Sequence, residues 1–162
     1  MIKLKEYRKG IQVTIYRTNS DRKVEFLIMH RVKNWTGWEL VKGGIDPTED
    51  SIDAAKRELF EEIGCNLENI QDIRESQFVS TIEYADKSKY EGMKCINIIA
   101  KVSNEFIVDL SKNDEIEHDG HKWCDKNDAE YLLEKNLLPA FIDSIRQILQ
   151  NDKNSDPNAQ KR

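Results

Sequence analysis

The sequence predicts one α/β domain in which a mixed β-sheet is covered by two helices, and three observations carry that prediction. Apolar and polar residues alternate along residues 10–16 and again along 78–84, the period of half-buried strands. Residues 24–29 and 95–102 are mostly apolar runs of the kind buried on both faces of a sheet. A 3.6-residue period runs through residues 51–63, and through Leu138, Phe141, Ile142, Ile145, Ile148 and Leu149.

The elements follow in order. After the strand at 10–16, Asn19-Ser20-Asp21 has turn composition and leads into the strand at 24–29. Residues 34–44 form a Trp- and Gly-punctuated loop with a short strand at 38–40. The first helix occupies 51–63, the strands at 78–84 and 95–102 come next, and residues 121–124 add a short one. Pro139 fits the first turn of the last helix. From 151 to 162 the periodicity disappears among Asn, Asp, Lys, Ser and Gln, so the expected organisation is a domain at 1–150 and a flexible tail at 151–162.

At 162 residues the chain is long enough for one sizeable core and short for two. With 38% hydrophobic and 34% charged residues and only seven Gly and three Pro, it is neither collagenous, low-complexity nor a disulfide scaffold. No apolar run approaches membrane-spanning length, and the first five residues lack the apolar stretch of a signal peptide. Cys65, Cys95 and Cys124 are odd in number with no CxxC spacing, so free thiols and a cytoplasmic location are expected. Charge is unevenly spread: residues 1–42 hold ten Lys/Arg against four Asp/Glu, while the remainder is strongly acidic and brings the net charge to −5. Such a chain is poorly suited to gripping long nucleic acid. It suits a short polyphosphate met by cations that carboxylates recruit.

The chemistry is concentrated in Gly43-Gly44-Ile45-Asp46-Pro47-Thr48-Glu49 and the helix after it. At 100° per residue, Ile52, Ala55, Leu59 and Ile63 form the core stripe, and Glu58, Glu61 and Glu62 share an arc of roughly 100° beside it. Like charges three and four apart weaken a helix by about 0.2–0.5 kcal/mol per pair. Anions late in a helix also oppose its dipole. A positive group should therefore stand in front of the arc, and hard oxygen ligands select Mg²⁺, Mn²⁺ or Ca²⁺. Arg57 is placed to orient one of these carboxylates. Gly43-Gly44 lets backbone approach a ligand, the 47–51 segment supplies helix-start chemistry, and Gly64 is placed to end the helix in the left-handed region.

The spacing Gly43-x5-Glu49-x7-Arg57-Glu58-Leu59-x-Glu61-Glu62-x-Gly64-Cys65 resembles the Nudix box, G-x5-E-x7-R-E-U-x-E-E-x-G-U, with Cys65 at the last apolar position. The resemblance implies a Nudix fold, an α/β/α sandwich around a mixed sheet. It also implies Mg²⁺- or Mn²⁺-dependent hydrolysis of a nucleoside diphosphate linked to another moiety. By motif position Glu58, Glu61 and Glu62 would ligate metal with the Gly43 carbonyl, while Arg57 and Glu49 would hold the constellation in shape. Glu58 or Glu117 would accept the proton of the attacking water.

Residues 38–47 and Glu117-His118-Asp119-Gly120-His121-Lys122-Trp123 look like segments of bacterial RNA pyrophosphohydrolases and dinucleoside tetraphosphate hydrolases, with Val41 where those carry proline. That likeness makes Glu117 a fourth acidic candidate and sets Arg8, in Tyr7-Arg8, on the phosphate side. The expected substrate is a dinucleoside tetraphosphate or the 5′-triphosphate end of RNA, with no long nucleic acid and no membrane; a homodimer is compatible with the sequence. The alternatives are a hydrolase of noncanonical or oxidised nucleoside triphosphates and a non-catalytic nucleotide sensor, although sensors usually lose a box residue and none is lost here.

Around the box, Arg31, Lys33 and Lys42 are either solvated rim or phosphate contacts. Trp35 and Trp38 either pack under the loop or stack on a base. Tyr84 and Tyr90 are further base-contact candidates. His30, His118 and His121 lack cysteine partners at zinc spacing and are expected on the surface or in loops. Cys95, in an apolar strand, is expected in the core.

Overall fold

The computed structural model describes residues 6–155, with side chains to residue 151. Seven strands, β1 (Tyr7–Thr18), β2 (Val24–Arg31), β3 (Gly37–Glu39), β4 (Val41–Gly44), β5 (Ile70–Glu83), β6 (Gly92–Val102) and β7 (His118–Cys124), form one mixed sheet. The three α-helices are α1 (Ser51–Ile63), α2 (Lys126–Leu132) and α3 (Leu138–Ser155). The sheet runs β3-β2-β1-β6-β5, with β4 beside the first half of β1 and β7 along β2. β1 and β6 are parallel and the other pairs antiparallel.

Strand alternation makes the sandwich. Ile11, Val13 and Ile15 of β1, Leu27 and Met29 of β2, and Ile98, Ala100 and Val102 of β6 pack on Ala54, Ala55, Leu59 and Ile63 of α1. The intervening Tyr16, Phe26, Ile28 and Ile99 face the other way, against Ala129 of α2 and Phe141, Ile145 and Ile148 of α3. Successive side chains of a strand point to opposite faces, so one sheet serves both layers. All three cysteines are buried and free, Cys95 fully so, as expected.

The two-helix expectation needs correction. α2 was not foreseen because it is seven residues long with a single buried position, Ala129, and too short to display a period. β5 begins eight residues before the expected strand. Its only buried positions are Ser76 and Ser80, and a register irregularity between Glu75 and Val79, with Gln77 at φ 70°, breaks the alternation. The last helix continues through Ser155 rather than ending at 150. The remainder of the expected tail, 156–162, lies outside the described residues. None of the helices among the described residues is long and apolar enough to cross a membrane.

Candidate active site

The helix that carries the acidic arc is fixed at both ends. The Asp50 side chain accepts from Asp53 N at 2.8 Å, capping the N-terminus. Gly64, at φ 70°, closes the C-terminus, with Gly64 N donating to Phe60 O and Cys65 N to Leu59 O. α1 therefore presents its carboxylates as a rigid row.

Arg57 is the hub of one side of that row. Its Nη2 donates to Glu49 Oε1 at 2.6 Å and to the Gly44 carbonyl at 2.8 Å, and its Nη1 donates to Glu58 Oε1 at 2.9 Å and Glu61 Oε2 at 3.4 Å. Glu49 also accepts from Asp46 N, tying the loop to the helix. Pairing with Glu49 above all raises the Arg57 pKa further, so the guanidinium stays charged. Glu58 lies against Gly43, where a β-carbon would collide with its carboxylate. Burial foremost, with Glu61 and Glu117 adding to it, raises the Glu58 carboxyl to about 7 against the pull of Arg57.

On the other side of the row, Glu62 and Glu117 make no ion pair with Lys or Arg among the described residues. Glu62 is 4% exposed and its Oε2 has no hydrogen-bond partner. One oxygen each of Glu62 and Glu117 and one nitrogen of His118 lie within 4.8 Å of one another. A cavity of about 30 Å³ lies beside them, enough to admit a water-sized guest. Burial, then the charges of Glu58, Glu117 and Glu39, hold the Glu62 carboxyl well above the ordinary carboxylate range.

Two residues of this region were not among the expected site residues. Glu39, fully buried at the end of β3, accepts from His118 Nε2 at 2.8 Å and Arg31 Nη1 at 2.9 Å and pairs with Lys42 Nζ at 2.9 Å. Burial alone would raise its carboxyl, but His118, Lys42 and Arg31 outweigh that and hold it at about 2. His118, expected on the surface or in a loop, is instead buried in β7. Its partner in the zinc spacing, His121, is exposed. The sequence did hold one signal, a lone carboxylate at 39 in an apolar strand with a lysine three residues on. The His118 contact had none, because it depends on strand pairing.

The structure brings Glu58, Glu61, Glu62 and Glu117 to one flank of α1, and puts Arg57 among them. Arg31 and Lys42, expected at the substrate, both point to Glu39. Arg8 is exposed and its guanidinium lies over Gly44, next to the Arg57 hub. Trp38 is half-buried against the His30 ring at 5.0 Å, whereas Lys42 Nζ stands 5.6 Å over the Trp35 ring. Tyr84 lies at the start of the loop after β5, with its N–H on Glu91 O. The Gly43 carbonyl lies against Gly10.

A hard divalent cation fits this donor set. A buried carboxylate oxygen without a hydrogen-bond partner among the described residues, a second carboxylate facing it and a small cavity beside them suit such an ion.

A fold of this topology with a loop–helix–carboxylate unit belongs to a known class. The NUDIX domain model matches residues 8–146, and the chain belongs to that family. It is a Nudix hydrolase, similar along most of its length to proteins of two named activities. The RNA pyrophosphohydrolase of Sulfurovum sp. is 42% identical over 62 residues, in an alignment that spans 38% of this chain and only 40% of that protein. That of Ruthia magnifica is 28% identical over 170 residues, covering 98% of this chain and 92% of the relative. The asymmetrical bis(5′-nucleosyl)-tetraphosphatase of Caenorhabditis elegans is 34% identical over 140 residues, covering 82% and 93%. A crystal structure of a C. elegans Ap4A hydrolase binary complex superposes with a TM-score of 0.71 at 29% identity, over 89% of this chain and 98% of that one.

Proposed function

We propose that this chain hydrolyses a phosphoanhydride bond in a dinucleoside tetraphosphate or at the 5′-triphosphate end of RNA, with Mg²⁺ or Mn²⁺ as cofactor. The observation that carries the reading is the buried Glu62 carboxylate, unpartnered at Oε2 and facing Glu117 beside a small cavity. Glu58, Glu61, Glu62 and Glu117 would hold the cation with help from the Gly43 carbonyl. A divalent cation there would neutralise phosphoryl charge and lower the pKa of the attacking water.

The chain's own residues do the remaining work. Glu58, aimed by Arg57 beside the cation, serves as general base for the attacking water. Arg57 fixes that carboxylate by holding Oε1 and anchors it to the glycine loop through the Gly44 carbonyl. Arg8, exposed over Gly44, contacts a phosphate of the substrate beside the acids. Arg31 and Lys42 neutralise Glu39 and so keep the floor of the site from repelling a polyanion. The net charge of −5 suits a grip on a nucleotide or an RNA 5′ end, not on a long strand. Similarity to both kinds of named hydrolase supports this pair of substrates.

The test is Mg²⁺-dependent hydrolysis across diadenosine tetraphosphate, 5′-triphosphorylated RNA, 8-oxo-dGTP and ADP-ribose, with separation of products. Turnover is expected on one of the first two, and Glu62→Gln should lower kcat by about 10²–10⁴-fold while the protein stays folded. Preference for 8-oxo-dGTP would replace the substrate assignment. Nucleotide binding without turnover on any compound would make the chain a sensor.

A further inference from the structure

The donor set beside α1 is not all oxygen. His118 reaches the same point as Glu62 and Glu117, with one ring nitrogen within 4.8 Å of an oxygen of each. The imidazole is fully enclosed, and its Nε2 lies 2.8 Å from Glu39 Oε1. Glu39 is held ionised by Arg31 and Lys42, so it accepts, and the Nε2–H tautomer is the one it selects. An imidazole whose N–H is held by a carboxylate offers its other ring nitrogen to a cation, the arrangement that orients histidine ligands in metal sites generally.

Three further features point at this spot. Glu62 Oε2 is buried with no partner. Glu62, Glu117 and His118 all line the adjoining cavity of about 30 Å³, together with Leu110, Asn113, Glu115 and Ile116. Glu39 has no direct place in that cavity, yet three side chains are committed to fixing it, which makes sense if its task is to aim the imidazole.

We propose that His118 is a nitrogen ligand of the cation held by Glu62 and Glu117, and that the resulting mixed nitrogen–oxygen site binds Mn²⁺ in preference to Mg²⁺. The inference rests on the divalent-cation reading above and goes beyond it in naming the ligand and the selectivity. Mg²⁺ prefers an all-oxygen octahedron and surrenders water reluctantly, whereas imidazole suits first-row transition ions. Glu39 is the positioning residue: it acts through His118 and not on the ion.

The experiment is Mn²⁺ titration of the whole protein followed by electron paramagnetic resonance, with pulsed detection of nitrogen coupling, and competition by Mg²⁺. The wild type is expected to show ¹⁴N modulation from one imidazole. His118→Phe should abolish the modulation and lower the ratio of Mn²⁺ to Mg²⁺ affinity by about 10–100-fold, with circular dichroism reporting the fold. Should His118→Phe not fold, His118→Gln fills the same space, donates to Glu39 through its amide, and must also lose the signal. Mn²⁺ bound without nitrogen coupling overturns the proposal and leaves the hydrolase reading standing. Coupling that survives in the folded variant assigns it to another histidine and overturns it as well. No Mn²⁺ binding at all overturns both.

Discussion

The carboxylate of Glu58 rests where a side chain at position 43 would begin: a β-carbon on Gly43 would collide with Glu58 Oε1. The clash is with the Glu58 side chain, from its carboxylate back to Cγ, and not with backbone, so Gly43→Ala can be accommodated by turning that whole side chain aside. The protein should fold with a melting temperature close to wild type. Displacement of a reacting group by about 1 Å can cost about 10² in rate, so kcat should fall by about that factor. Steady-state kinetics beside a thermal melt check both halves. Full turnover in the variant would remove Glu58 from the reaction.

Glu58 also sets how the metal-free protein responds to pH. Its carboxyl titrates at about 7 in the fold against 4.5 ordinarily, and Glu62 is raised further. Between pH 4.5 and 7 the folded state thus holds more protons than the unfolded chain, and stability falls as pH rises through that window. The metal-free melting temperature should drop from pH 5 to pH 8. Mn²⁺ should restore it at pH 8 and add little at pH 5, where the ligands are protonated. Scanning fluorimetry with and without EDTA measures this, and Glu58→Gln should flatten the slope.

Glu39 has the opposite sign. Its carboxyl is depressed to about 2, so the stability it contributes is complete above pH 4.5 and lost as pH falls towards 2. Glu39→Gln leaves Arg31 and Lys42 without their counter-ion, which costs about 3–5 kcal/mol for a buried cluster. Urea denaturation should show that full difference at neutral pH and a shrinking one towards pH 2. A constant difference across the range would mean that packing, not charge, makes Glu39 stabilising.

What the sequence revealed of this site follows from how far each contact reaches along the chain. Glu58 and Glu62 lie on one helix, whose period and caps can be read locally, and both emerge on the expected flank. Glu39 and His118 are 79 residues apart. They meet because β3 and β7 both pair with β2, with Glu39 opposite Met29 and His118 opposite Arg31. Nothing local encodes that register. The same reasoning explains the fold: α1, β2 and β6 show their burial as a period or an apolar run, whereas α2 has one buried residue and β5 is interrupted. Arg31 and Lys42 were legible as cations near the box, but their commitment to Glu39 belongs to tertiary structure.

The Arg57–Glu49 pair should behave as one unit. Arg57 spends both Nε and Nη2 on Glu49, at 3.2 and 2.6 Å, which frees Nη1 to hold Glu58 and Glu61 in a fixed direction. A lysine has the charge but not the planar fork, so Arg57→Lys cannot grip Glu49, Glu58 and the Gly44 carbonyl together. We expect Arg57→Lys to lower kcat about 10–10²-fold with KM nearly unchanged, because what is lost is aim, not substrate contact. Glu49→Gln, which weakens the grip from the other side, should cost somewhat less. The double variant should be little worse than Arg57→Lys alone, giving a coupling energy of about 1–2 kcal/mol in a double-mutant cycle. Strict additivity would show that Glu49 and Arg57 act separately. The loop at 44–49 and the carboxylate row of α1 would then not be joined through this guanidinium.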